Sequence, residues 1–147
     1  MTNFILVASG KGGSGKTLCT INLASALNYF NKDVILVDAN INNPNLSLNL
    51  GLLNTSRNLQ EVLQGKYHIL ESLYNLPSGL RIAPLSISTH YIGKIDLLNF
   101  RKVIYGLDGL TDIVLIDAPS GVNNEIVQLI NAVDEILIVV NPETSSI

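Results

Sequence analysis

Residues 9–17 read SGKGGSGKT and set two lysines, Lys11 and Lys16, among glycines. Within this stretch GKGGSGKT (10–17) satisfies the pattern G-x-x-x-x-G-K-[ST], and it lies between an apolar run and an amphipathic stretch, as such a loop requires. The chemistry served by this spacing is the cradling of phosphate. Gly10, Gly12, Gly13 and Gly15, with Ser14 among them, let the backbone bend tightly and aim N–H groups inward, while the next helix offers its positive end. Lys16 is expected to reach the β/γ-phosphates of a nucleotide, and the Thr17 hydroxyl to ligate Mg²⁺.

Lys11 has no place in that arrangement, because the loop leads away from the nucleotide at that point. The longer pattern K-G-G-x-G-K-T (11–17) resembles the deviant P-loop of the MinD/ParA family, ATPases that position division sites, chromosomes and other cargo. The resemblance implies that Lys11 reaches across an ATP-dependent homodimer to the partner subunit's nucleotide; the alternative is a solvated loop lysine. Leu18 stands where that family often has a second Ser or Thr, so only its backbone N–H is left for the α-phosphate.

Three further segments resemble the family in its order. VDANINNPNL (37–46) is similar to the first switch, where an acidic pair D-x-D follows the strand. Asp38 matches the first acid, but Asn40 replaces the second, which orients the attacking water, so the resemblance implies slow hydrolysis. Asn45 is expected near the dimer interface. LIDAPSG (115–121) resembles the Walker B strand and second switch, implying that Asp117 holds Mg²⁺ through a water and that the Gly121 N–H senses the γ-phosphate. NPETSSI (141–147) looks like the N-P-E-x-x-S segment. The implied catalytic set is Lys11, Lys16, Asp38 and Asn40, with ATP and Mg²⁺ as cofactors.

These residues need elements to hold them. FILVAS (4–9), DVILVDA (33–39), LRIAPL (80–85), DIVLIDA (112–118) and EILIVVN (135–141) are short, Val/Ile-rich and continuous, the pattern of strands buried on both faces of a parallel sheet. Helical spacing falls at 16–30, where Leu23, Leu27 and Phe30 form a stripe, and at 58–74, 96–106 and 122–132. The segment from Asn42 to Ser56 reads as a loop with a short helical turn. Alternating strands and helices give an α/β fold, a parallel central sheet flanked by helices, in one domain over 1–147. Taken with the resemblance, this is a P-loop NTPase of the deviant Walker A class. It is read as lacking its C-terminal portion, because family members continue well beyond this segment.

Composition narrows the partners. At 147 residues, 47% hydrophobic and 14% charged, the chain suits a single folded core rather than a disordered one. A net charge of -3 without runs of like charge does not advertise a nucleic-acid surface. No apolar run approaches the roughly 20 residues of a membrane span, and FILVA lacks the basic lead-in of a signal peptide, so a cytoplasmic location is expected. Cys19 is the single cysteine, which excludes an intrachain disulfide, and it is read as a helix residue of the core. His68 and His90 read as surface or helix-cap residues, and Arg57, Arg81 and Arg101 as solvated cations.

The function implied is a MinD-like switch whose ATP-dependent dimer controls binding to a protein partner, with membrane attachment only through a C-terminal segment absent here. Three alternatives stay open: a nucleotide-regulated scaffold with little hydrolysis, suggested by Asn40; an Mrp-type iron–sulfur carrier, which shares the proline at Pro44; and a ParA-like DNA partition ATPase.

Overall fold

The computed structural model describes residues 1–88 and 95–143. Six strands form one sheet in the order β3-β4-β2-β5-β1-β6: β1 Asn3–Ser9, β2 Val34–Asp38, β3 Tyr74–Asn75, β4 Arg81–Ala83, β5 Ile113–Ser120 and β6 Glu135–Ile138. All neighbours run parallel except the two-residue β3, which is antiparallel to β4. The five expected strands are present, and β3 is an addition too short to leave a pattern in the sequence.

The central strands are buried on both sides, and their side chains alternate between two cores as the pleat requires. Phe4, Leu6, Ile35, Val37, Val114 and Ile116 face one core. Val7, Val34, Leu36 and Leu115 face the other. Helices α3 Leu59–Leu63, α4 Phe100–Ile104 and α5 Asn124–Ile130 cover the first face, where Leu59, Phe100, Ile104, Ile126 and Leu129 join the core. The long helix α1 Lys16–Tyr29 covers the second, with Ala24 fully buried. A one-turn helix, α2 Leu46–Asn49, follows the loop after β2 and buries Leu46 on that side.

β6 departs from the expectation of burial on both faces. All four of its residues are exposed, because it pairs with β1 along one side only and no strand lies beyond it among the described residues. A continuous apolar run encodes a parallel strand, but its burial depends on neighbours that the run itself does not specify.

The helical stripes also differ from their periodicity. In α1 the fully packed positions are Lys16, Thr20 and Ala24; Leu23 and Leu27 are half-buried, Phe30 is 72% exposed, and Cys19 is exposed rather than part of the core. The helix faces the sheet's polar edge with polar and small residues, so a stripe counted on leucines is rotated from the real one. It ends where Asn31 turns left-handed at φ 61°, with Lys32 N–H donating to Leu27 O and Asn31 N–H to Asn28 O, a Schellman cap. The 58–74 stretch is not one helix. Asn58 caps α3 by accepting from Glu61 N–H, the chain turns at Gly65, and His68 then caps a 3-10 turn through a reciprocal box with Glu71. His68 is therefore the cap it was expected to be, while His90 lies outside the described residues.

Candidate nucleotide site

The loop between β1 and α1 bends at Gly13 and Gly15, whose φ angles of 75° and 83° carry a backbone that side chains with a Cβ resist. Gly15 directly precedes α1, and no side chain caps that helix start, so its first N–H groups are left facing outward. A cleft of about 420 Å³ opens there, lined on one side by Gly12, Gly13, Ser14, Gly15, Lys16, Thr17 and Leu18. Opposite stand Asn40, Asn42, Asn43 and Asn45, with Pro119 and Ser120 beside them.

Behind the cleft the parallel register sets Asp38, the last residue of β2, directly beside Asp117 within β5, both fully buried. α1 reaches Asp117 with three side chains. Lys16 Nζ approaches Asp117 Oδ1 at 2.6 Å and is itself only 5% exposed. Thr17 donates to Oδ2 at 2.7 Å, and the Thr20 hydroxyl lies 3.4 Å from Oδ1. One ammonium thus serves two buried carboxylates, and it sits on Asp117.

Asp38 takes the consequence. Burial, and then the charge of Asp117, push its carboxyl up to about 8, against the opposing pull of two backbone N–H groups and Lys16. Those N–H groups belong to Asn40 (3.1 Å, to Oδ1) and Leu46 (3.3 Å, to Oδ2), so a single side chain ties together both ends of the asparagine loop. Asp38 does not line the cleft, whereas Asn40, 7% exposed and expected to belong to a switch, does.

The other expected site residues divide. Lys11 does not line the cleft; it is half-exposed, with Nζ 3.7 Å from Glu143 Oε2 of the N-P-E segment. Gly10 is exposed at the turn before it. The Gly121 N–H, expected to face a phosphate, is donated to Ser9 O at 3.0 Å, because the parallel pairing of β5 with β1 runs on to Ser120 and Ser9. Asn45 stands on the cleft wall. Asn42, Asn43, Pro119, Ser120 and Thr20 went unassigned in the sequence, although the run of asparagines after a strand-end Asp was a visible signal. The three arginines sit elsewhere: Arg57 packs over Tyr67, Arg101 over Tyr105, and Arg81 pairs with Asp33 at 2.6 Å.

These groups fit a phosphate ester with a divalent cation. The cleft has the volume of a small-molecule site. Its loop offers helix-start N–H groups, and the Ser14 hydroxyl oxygen is buried without a hydrogen-bond partner. A Thr hydroxyl and a buried Asp carboxylate adjoin it, the oxygen donors that Mg²⁺ prefers.

The fold and loop together define a P-loop nucleotide-binding protein. The chain matches the CbiA family, the CobQ/CobB/MinD/ParA nucleotide binding domain, over residues 5–143, and it belongs to that family. An uncharacterized ATP-binding protein of Methanocaldococcus jannaschii is 38% identical over 143 residues, which cover 97% of this chain and 54% of that protein. The septum site-determining protein MinD of Pyrococcus horikoshii, solved in complex with Mg-ADP, superposes with a TM-score of 0.93 at 34% identity, covering 99% of this chain and 60% of that one. MinD in the MinC:MinD complex of Aquifex aeolicus gives 0.85 at 33% identity, covering 99% and 59%. The chain spans about half the length of the curated relatives it matches. No helix among the described residues is long and apolar enough to cross a membrane.

Proposed function

We propose that this chain is the nucleotide-binding part of a MinD-like switch that binds ATP with Mg²⁺, dimerises around it and hydrolyses it slowly. The observation that carries the reading is the contrast between the two lysines. Lys16 is buried against Asp117 at the wall of the phosphate loop, whereas Lys11 projects half-exposed outside the same cleft. A lysine kept on the loop yet outside the cleft suits a trans contact, in which two copies meet across their nucleotides and each Lys11 serves the other's phosphates.

Mg²⁺, held by Thr17 and through a water by Asp117, would supply charge neutralisation on the phosphates. Lys16 and the loop N–H groups would stabilise the charge that grows as the terminal phosphate leaves. Asn40 faces the cleft as an amide, which can orient a water through its oxygen but cannot accept its proton at neutral pH. ATP is thereby turned over slowly, and the ATP-bound dimer persists as the state offered to a protein partner. The complex of an Aquifex aeolicus relative with MinC supports the idea of a protein partner.

Sedimentation velocity of the chain and of Lys11→Ala, each with and without ATP and Mg²⁺, tests this. The parent should shift to a dimer with ATP, and Lys11→Ala should bind nucleotide yet stay a monomer. A Lys11→Ala protein that dimerises with ATP as the parent does would refute the trans role.

A further inference from the structure

Thr20 lies one helical turn beyond Lys16 on α1, is fully buried, and has no part in the phosphate-loop pattern. Its hydroxyl is 2.9 Å from the Lys16 carbonyl and 3.4 Å from Asp117 Oδ1. A hydroxyl has one proton to donate. The distances assign that proton to the carbonyl here, while Lys16 Nζ serves Oδ1 from 2.6 Å. We infer that Thr20 is a positioning residue for Asp117: when Lys16 turns its ammonium toward phosphate, the Thr20 hydroxyl hands its proton-side hydrogen bond from the Lys16 carbonyl to Oδ1 and holds the carboxylate in place. This rests on the nucleotide reading above, since it needs a phosphate to draw Lys16 away.

The burial of the site requires such a group. Asp117 is 0% exposed, so beyond the one water that Mg²⁺ would bring, an oxygen that loses its ammonium there has no solvent to turn to, and a buried charged acceptor left unpaired is costly. Thr17 serves only the other oxygen, Oδ2. The carbonyl that Thr20 gives up is not orphaned, because inside the helix it keeps its N–H donor four residues on. Rotation about the Thr20 C–O bond redirects the proton, and little heavy-atom movement is needed. The carboxylate then keeps one donor on each oxygen in both states, with Lys16 free to act elsewhere.

ADP binding by the 147-residue chain, measured by calorimetry with and without Mg²⁺, tests the assignment in the parent, Thr20→Val and Thr20→Ser. Val keeps the branched shape and removes the hydroxyl; Ser keeps the hydroxyl. ADP affinity should fall at least about tenfold in Thr20→Val, with and without Mg²⁺, the factor for one hydrogen bond to a charged group. Thr20→Ser should restore it. The nucleotide-free Thr20→Val protein should melt close to the parent, because Lys16 and Thr17 still hold Asp117; if it does not fold, Thr20→Ala carries the same comparison. An unchanged affinity in the variant, or no rescue by serine, overturns the role of Thr20 and leaves the nucleotide site standing. A parent chain that binds ADP under neither condition overturns both.

Discussion

Asp38→Asn should make the stability of the nucleotide-free chain less dependent on pH, and the size of the change follows from where Asp38 sits. Its carboxyl is fully buried beside Asp117, and these two effects, burial first, push it up to about 8. In the unfolded chain it returns to an ordinary value near 3.9. Between those values the native state keeps a proton that the unfolded state has released, so stability falls by roughly 1.4 kcal/mol per pH unit. The stabilisation is complete below about pH 4 and is lost progressively as pH rises toward 8, beyond which both states are ionised. From pH 5 to pH 7 this one group costs about 3 kcal/mol, a large share of a typical 5–15 kcal/mol.

An asparagine removes the proton and most of the geometry survives. Its oxygen can accept from the Asn40 or the Leu46 N–H, but the NH₂ faces the other donor, a loss on the order of 1 kcal/mol that does not vary with pH. Urea unfolding of parent and variant at pH 5 and pH 7 separates the two effects. Relative to the parent, Asp38→Asn should gain about 3 kcal/mol on going from pH 5 to pH 7. Parallel pH dependence in the two proteins would show that Asp38 is ionised in the fold, and the argument from one ammonium shared by two buried carboxylates would be wrong.

Other outcomes follow from the same geometry. Lys16→Ala leaves Asp117 buried without its cation, so the nucleotide-free chain should lose about 3–5 kcal/mol in denaturant unfolding; ATP affinity by calorimetry should fall as well, and an unchanged affinity in a folded variant would remove Lys16 from the site. Asn40→Asp should raise single-turnover ATP hydrolysis, by up to about 10²-fold if the new carboxylate acts as a general base; a rate at or below the parent's would rule out the amide as the cause of slow turnover. Cys19, exposed on α1, should react with a thiol reagent in the folded chain nearly as fast as in urea, and strong protection would return it to the core. Asn58→Ala should cost about 1 kcal/mol in thermal unfolding by uncapping α3, whereas no change would mean that the cap is made by something else.

The phosphate loop could be read from the sequence because its chemistry is local: eight consecutive residues contain the glycines, the lysine and the hydroxyl. Asp38 and Asp117 were equally visible, since each closes an apolar run and a parallel sheet brings such ends to one edge. What the sequence concealed depends on contacts between distant segments. Thr20 looks like any polar residue in a helix until α1 is laid on β5, when it proves to be 97 positions from its partner Asp117. Cys19 and Phe30 were misplaced for the same reason: the buried stripe of α1 is Lys16, Thr20 and Ala24, and a periodicity counted on apolar residues cannot find a polar stripe. The pairing of Lys11 with Glu143 joins the first motif to the last, across a separation that no spacing rule covers.

That polar stripe also explains why the site and the fold cannot be adjusted independently. α1 meets the edge of the sheet through Lys16, Thr17 and Thr20 on Asp117, and Asp117 in turn raises the cost of ionising Asp38. Asp38 holds Asn40 and Leu46, and Ser47, next along the chain, donates to Leu85 O at 3.3 Å. Ser86 and Gln60 then exchange two hydrogen bonds at 2.8 and 3.1 Å, tying the end of β4's connection to α3. A ligand that moves the Lys16 ammonium therefore acts on the first link of a continuous buried chain from the phosphate loop, through the asparagine loop, to the surface beyond β4. The links are polar contacts among buried or half-buried groups, joined along the chain from Leu46 to Ser47 and from Leu85 to Ser86. A change in the charge on Asp117 consequently alters how firmly the asparagine loop is held.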